Sequence, residues 1–167
     1  MVNMNFKIGI GYDVHQLREG IPLKLGGIEI KHTKGCIAHS DGDVLIHAIC
    51  DALLGALALG DIGLHFPDTD NKYKNIDSKI LLQKVYNLLK SNGYKIGNID
   101  STVCLQNPKI KTYIDKMQTV LAEILEIDKT QISVKATTTE KLGFEGREEG
   151  ISAQAVVLIY TMLDHKK

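Results

Sequence analysis

The sequence has no tryptophan, only three phenylalanines and six tyrosines, too few flat rings to build a base-stacking platform for nucleic acid. It has no excess charge of either sign. Twenty Lys plus Arg balance twenty Asp plus Glu, and neither sign forms a long block, so there is no footprint for nucleic acid or an anionic membrane. Its three cysteines, Cys36, Cys50 and Cys104, are odd in number, widely spaced and without a Cys-x-x-Cys pair. That excludes a disulfide framework and a thiolate zinc site, and reads as small core residues in a reducing cytosol. No apolar run approaches the roughly 20 residues that span a bilayer, and residues 1–7 are too short and polar for a signal peptide. The expectation is therefore a cytoplasmic protein with small-molecule partners. Also missing are a Gly-x-Ser-x-Gly elbow, a Walker A loop, a Gly-x-Gly-x-x-Gly turn, internal repeats and linkers. At 167 residues the chain is read as a single domain, 1–167, around one core.

What the chain does carry is concentrated in residues 38–54, Ala-His-Ser-Asp-Gly-Asp-Val-Leu-Ile-His-Ala-Ile-Cys-Asp-Ala-Leu-Leu. Ser40 with Asp43 reads as a capping box that starts a helix where the apolar residues begin. From Val44 onward the residues are apolar almost all round, the mark of a buried helix. Asp43, His47 and Asp51 fall at i, i+4 and i+8 and share one face. A carboxylate or imidazole carried into the interior is costly unless paired, hydrogen-bonded or bound to metal. For His47 taken alone, the default reading is a core histidine satisfied by a neighbouring carboxylate. Asp43 reads as a cap, and Asp51 as a group that orients His47.

Residues 6–12 alternate as a strand whose glycines, Gly9 and Gly11, allow close backbone approach. Asp13 and His15 follow it, and in extended chain i and i+2 project together. With His47 they give one carboxylate and two imidazoles, a set suited to zinc or a similar divalent ion with an open fourth position. Residues 23–30 form a hairpin turning on Gly26-Gly27. The aspartates of residues 60–71 are turn chemistry or ligand contacts. Residues 77–92 form an amphipathic packing helix closed by Gly93, and 98–106 a strand. Asn107 and Pro108 read as the N-cap and first residue of a helix over 108–125, whose free amides beside Lys109 suit an anion. After a strand at 131–136, the hydroxyls of Thr137, Thr138 and Thr139 with Glu140 are either donors beside a cation ligand or a Thr-x-x-Glu capping box. Residues 151–163 read as a strand buried on both faces. The pattern is α+β: a two-layer sandwich, with one mainly four-stranded mixed sheet, helices on one face and a small hairpin. With no nucleophilic side chain evident, a phosphate already carried by the substrate can attack, leaving the protein to position it and stabilise charge.

Five segments together resemble the 2-C-methyl-D-erythritol 2,4-cyclodiphosphate synthase family: Tyr12-Asp13-Val14-His15; Ala38-His39-Ser40-Asp41-Gly42-Asp43 with His47; Gly60-Asp61-Ile62-Gly63; Phe66-Pro67-Asp68-Thr69-Asp70; and Val134 through Phe144. The resemblance implies cyclisation of 4-diphosphocytidyl-2-C-methyl-D-erythritol 2-phosphate with release of CMP, in non-mevalonate isoprenoid synthesis. It implies zinc at Asp13, His15 and His47, magnesium or manganese at Glu140, and transition-state stabilisation by His39 and Thr138. His39 and Ser40 would touch the methylerythritol phosphate. Asp61, Gly63, Phe66, Asp68 and Asp70 would line the sugar side as a mobile loop. Leu105, Asn107, Pro108, Lys109, Ile110 and Lys111, with Ala136 and Thr137, would form the cytidine pocket, and Phe144 and Arg147 would also contact substrate. The family's homotrimer implies active sites between subunits, and Arg147, Glu149 and Tyr12 around an axial cavity for isoprenoid phosphates. Two other readings stand beside this one: a zinc-dependent phosphohydrolase using metal-bound water, and a non-catalytic trimer that binds isoprenoid phosphates.

Overall fold

The computed structural model describes residues 4–162. Its main sheet has five strands in the order β4-β1-β7-β5-β6, and a separate hairpin pairs β2 with β3. In chain order these are β1 (Met4–Glu19), β2 (Leu23–Leu25), β3 (Ile28–Ile30), β4 (Lys34–Ile37), β5 (Lys95–Cys104), β6 (Ile132–Thr137) and β7 (Gly150–Met162). Among the described residues only the β5–β6 pair is parallel. The helices are α1 (Val44–Ala56), α2 (Ile62–His65), α3 (Ser78–Ser91), α4 (Ile114–Leu125) and α5 (Gly143–Gly146). The expected α+β sandwich is present, with five strands rather than four. The additional strand, β4, is four residues long and pairs with Gln16–Glu19 of β1. So short a run has too little alternation to be read from sequence.

Strand β1 sorts its residues by parity. Gly9, Gly11 and Leu17 are buried against α1, whereas Phe6, Ile8, Ile10, Tyr12 and Val14 stand exposed on the opposite face. The two glycines have the steric role expected of them. A Cβ at Gly9 or Gly11 would fall 1.9 Å or 2.0 Å from the carbonyl oxygen of Ala52 or Ala48, so only bare backbone lets the helix lie this close. Asp13 and His15 follow on the same face, directed at the helix that carries His47.

Helix α1 is buried along its length except at Asp51 and Gly55. Its N-cap is Asp43, not Ser40: Asp43 Oδ1 accepts from Ile46 N at 3.0 Å. The same carboxylate accepts from Gly26 N (2.9 Å) and Gly27 N (2.7 Å) in the hairpin turn, so Asp43 pins the hairpin to the helix. Those three donors compensate for its burial, although desolvation still raises its pKa.

Three other expectations are corrected. Helix α4 starts at Ile114 after a single 3-10 turn over Lys111–Tyr113, not at Pro108. Asn107 does not cap a helix, because its amide donates to Glu148 Oε1 at 2.6 Å, and Leu105 and Ile110 are drawn into the core on either side. No helix N-terminus therefore stands beside Lys109. The Thr137-x-x-Glu140 capping box is absent too, since no helix begins there. Finally, β7 is not buried on both faces along its length: Ile151, Ala153, Ala155, Val157 and Ile159 point inward, while on the other face Ser152 is buried but Gln154 and Val156 are exposed. Leu163, the expected end of that strand, lies outside the described residues.

Candidate active site

The β1 ladder continues through Asp13 and His15, which oppose Ala153 and Ile151 of β7, so both side chains project to the α1 side. His47 meets them from the first turns of α1. His47 Nδ1 lies 2.9 Å from Asp13 Oδ2 and 3.0 Å from His15 Nε2, and His15 Nε2 is 3.0 Å from the same carboxylate oxygen. One oxygen and two ring nitrogens thus converge within 4.8 Å of one another. The donor set fits a divalent ion: borderline nitrogen ligands with one carboxylate, each able to offer a lone pair to a common point.

Electrostatics tie the three together. Burial pushes the Asp13 carboxyl up, but hydrogen bonds and charge from His15 and His47 outweigh it and hold the group well below the usual carboxylate range. Burial pushes His47 down, and the Asp13 carboxylate overcomes that and raises it. The cluster is therefore electrostatically self-compensated, with a carboxylate that stays ionised.

The cluster opens into a cavity of about 390 Å³ lined also by His39, Ser40, Gly63, Phe66 and Asp68. His39 Nε2 is 3.4 Å from the Asp70 carbonyl. Asp61 caps α2 by accepting from Leu64 N, and Asp70 caps the 3-10 turn after it. Asp51 does not touch His47 by a hydrogen bond. It accepts from Ile62 N at 2.7 Å and so fixes the α2 segment that walls the cavity. The far nitrogen of His47, Nε2, is met instead by Ser78 Oγ (2.9 Å) and Ser40 Oγ (3.1 Å). Ser78, the first residue of α3, was not singled out by the sequence reading, which took that helix as packing alone. A serine after Asp77 at the start of an amphipathic helix resembles any capping residue.

A second hollow, about 330 Å³, is lined by Leu105, Pro108, Lys109, Ile110 and Lys111 from the loop after β5 and by residues 136–138 with Glu140 after β6. Here the backbone is strained: Glu140 and Lys141 both take left-handed φ values, +52° and +68°, a conformation that non-glycine residues hold only when their surroundings enforce it. Thr138 Oγ1 donates to Glu140 Oε1 at 3.0 Å. The two cavities share no residue, so the expected site residues fall into two groups on the chain. Asp61, Asp70, Asn107, Phe144 and Arg147 line neither. Arg147 is held by Glu149 in a two-pronged ion pair (2.9 and 3.0 Å). No cysteine replaces the missing nucleophile: burial pushes the Cys36 thiol up to about 12 and Cys50 well above its usual value, and raises Cys104.

The YgbB family model matches residues 6–160, a span that includes both cavities. The chain belongs to the YgbB family. Curated relatives named 2-C-methyl-D-erythritol 2,4-cyclodiphosphate synthase include one from Bacteroides fragilis, 64% identical over 93% of this chain and 98% of the relative. Another, from Porphyromonas gingivalis, is 61% identical over 92% and 95%. Among solved YgbB-like structures, the bifunctional IspDF of Campylobacter jejuni superimposes with a TM-score of 0.92 at 46% identity, covering 95% of this chain and 43% of that one. IspF of Plasmodium falciparum, solved as a CDP complex, gives 0.81 at 38% identity, covering 92% and 95%.

Proposed function

We propose that this chain is an enzyme that cyclises 4-diphosphocytidyl-2-C-methyl-D-erythritol 2-phosphate to 2-C-methyl-D-erythritol 2,4-cyclodiphosphate, releasing CMP, in non-mevalonate isoprenoid precursor synthesis. The observation that carries this reading is the converging Asp13, His15 and His47 cluster at the mouth of a cavity, on a chain about 60% identical across its length to relatives bearing that enzyme's name. An oxygen of the substrate's 2-phosphate forms a bond to the β-phosphorus while the bond from that phosphorus to the CMP oxygen breaks, and CMP leaves with the electron pair. Asp13, His15 and His47 would hold zinc and Glu140 magnesium or manganese, and the ions would supply positive charge against the crowded phosphates. Tethering of nucleophile and electrophile in one molecule favours ring closure over attack by water.

The chain's own residues do the positioning. Ser40 accepts from Gly42 N and keeps its hydroxyl proton for a phosphate oxygen, while the His39 ring stands beside it in the same cavity as a stabiliser of developing charge. Thr138 serves the same purpose from the second hollow, where the 105–111 loop would receive the cytidine. In this reading the methylerythritol end lies against Gly63, Phe66 and Asp68, with Asp61 and Asp70 shaping the loop, and Phe144 and Arg147 complete the substrate contacts.

Because the two hollows are separate, the reading includes a homotrimer in which one protomer's metal cluster faces its neighbour's cytidine hollow. The apolar row Phe6, Ile8, Ile10, Tyr12 and Val14, 44–71% exposed in the single chain, supports such an assembly, since monomers rarely leave so continuous a face uncovered. Arg147, Glu149 and Tyr12 would then surround an axial cavity able to take an isoprenoid phosphate. No helix among the described residues is long and apolar enough to cross a membrane; the whole chain, 1–167, is read as a single cytoplasmic synthase domain. The phosphohydrolase alternative is not favoured, given the names of the relatives. The test is CMP release from the diphosphocytidyl substrate by purified protein. Failure with zinc, magnesium and manganese alike would refute the proposal, and a linear product carrying solvent oxygen would identify a hydrolase instead.

A further inference from the structure

Asp41 and Ser78 line neither of the two hollows described above and lie behind the metal cluster. Ser78 is fully buried, and its hydroxyl donates to Asp41 Oδ1 at 2.5 Å. Its backbone N–H donates to the other carboxylate oxygen, Asp41 Oδ2, at 3.2 Å. Asp41 is itself held in place, its own N–H donating to the Ile76 carbonyl at 3.0 Å. A serine hydroxyl has one proton, and here it is given to the Asp41 carboxylate oxygen. The oxygen that Ser78 turns toward His47 Nε2, 2.9 Å away, is therefore an acceptor. It requires a proton on Nε2. In the neutral ring Nδ1 must then be bare, and Nδ1 is the atom that faces Asp13 and His15.

We propose that Asp41 and Ser78 are positioning residues: a two-member relay that fixes the tautomer of His47 so that its Nδ1 lone pair is directed into the metal cluster. The inference rests on the reading of Asp13, His15 and His47 as a metal site. Ser40 does not set the tautomer. Its oxygen also lies near Nε2, but its proton is not committed by any protein acceptor among the described residues. The Ser78 oxygen, its own proton committed, accepts at Nε2, while His15 Nε2, 3.0 Å from both Asp13 Oδ2 and His47 Nδ1, can supply the proton that the Asp13 carboxylate takes, which leaves Nδ1 bare.

The relay has a polarity that an isosteric change reverses. In Asp41→Asn the single amide oxygen cannot serve both the Oδ1 position, which takes the Ser78 hydroxyl and the Asp43 N–H (3.3 Å), and the Oδ2 position, which takes the Ser78 N–H (3.2 Å); with the oxygen opposite Ser78 N–H, the amide NH2 lies against Ser78 Oγ. That NH2 now donates, the Ser78 proton swings to His47 Nε2, and the favoured tautomer carries its proton on Nδ1, where the ion should bind. Groups that orient a ligating histidine typically govern about 10–100-fold in metal affinity. Asp41→Asn is expected to weaken zinc binding by about that factor, measured by competition with a chromophoric chelator. Ser78→Ala removes an acceptor without installing a wrong donor and should weaken binding less. The double variant should recover to the Ser78→Ala level, because the misdirected proton is gone; a purely structural role for each residue would make the losses add. Nitrogen-15 NMR of the metal-free protein, at a pH where the ring is neutral, reads the tautomer directly. Nε2–H is expected in the wild type and Nδ1–H in Asp41→Asn. An Asp41→Asn protein that keeps the Nε2–H tautomer, or whose zinc loss adds to that of Ser78→Ala, overturns the relay. The two readings fail separately. A wild type that binds no zinc would refute the metal site, while the NMR assignment still decides the relay.

Discussion

Replacing Gly11 by alanine should damage folding and metal binding together. The new Cβ would lie 2.0 Å from the Ala48 carbonyl oxygen and 2.7 Å from Ala52 N, and ordinary contact begins at 3.4 Å. The difference, 3.4 less 2.0, leaves about 1.4 Å for α1 to retreat from β1. Both surfaces are main chain, so neither can swing aside as a side chain would. The overpacking cost should sit at the upper end of the usual range, about 3 kcal/mol, which corresponds to a fall of about 6–12 °C in melting temperature for a chain of this size. The same retreat carries His47 away from Asp13 and His15. Metal–ligand distances tolerate only about 0.2 Å of error, so zinc affinity should drop at least about 100-fold. Circular-dichroism melting and chelator competition measure the two losses. Gly55→Ala is the control on the same interface: its Cβ would meet Ile10 O at 3.8 Å in ordinary contact, and it should be neutral or about 0.5 kcal/mol more stable. A Gly11→Ala protein with unchanged melting temperature and unchanged zinc affinity would refute the close-packing argument.

Protons and metal compete for the cluster, and the signs differ with loading. In the metal-free protein, Asp13 sits below its ordinary 3.8 and contributes stability above that pH that is lost under acid. His47 sits above its ordinary 6.5, so its contribution is complete below 6.5 and lost as pH rises through the raised value. Metal-free melts should therefore weaken on both sides of this window, while zinc-loaded melts should strengthen toward alkaline pH; identical profiles with and without zinc would contradict the ligand assignment. Mixing inactive His47→Ala with inactive Glu140→Ala subunits, then unfolding and refolding them together, should restore activity at about a quarter of the sites if each site joins two protomers. No recovery would place the whole site on one chain. Ile10→Lys, at a position 71% exposed in the single chain, should convert the proposed trimer to monomers in sedimentation and abolish CMP release yet leave zinc binding intact. A trimeric, active Ile10→Lys protein would remove β1 from the interface.

The parts of the site that follow from local geometry were legible in the sequence. Asp13 and His15 are two residues apart at the end of an alternating run, and His47 is a polar interruption of an apolar helix, so their shared side could be argued from strand and helix periodicity. Gly9 and Gly11 marked close approach for the same reason. What escaped depended on distant partners. Asn107 and Pro108 have every local feature of a helix start, but Glu148 takes the asparagine amide and Ile110 is claimed by the core, and tertiary demands override propensity. Ser40 was read as the cap because it precedes Asp43 by three residues, yet the hairpin turn delivers two further amides to Asp43 and makes it the better anchor. Asp41 and Ser78, 37 residues apart, meet only in the folded chain. The apolar character of residues 151–163 could not reveal that one face is left for something other than this chain's own core.

The alternation along β1 has a consequence for how this chain can change over evolutionary time. Point substitutions on the outer face can be accepted one at a time, but a single-residue insertion or deletion just after Lys7 would exchange the two faces of the strand beyond it at once. Ile8, Ile10 and Tyr12 would be driven against α1, and Asp13 and His15 would be turned outward. The strand is registered over 13 consecutive pairs with β7, so no nearby bulge is available to absorb the slip. Length variation among descendants of this sequence should thus be confined to places such as the loop after α1 and the turn at Gly20, and the spacing from Gly9 to His15 should behave as a fixed ruler even where the residues between are replaced.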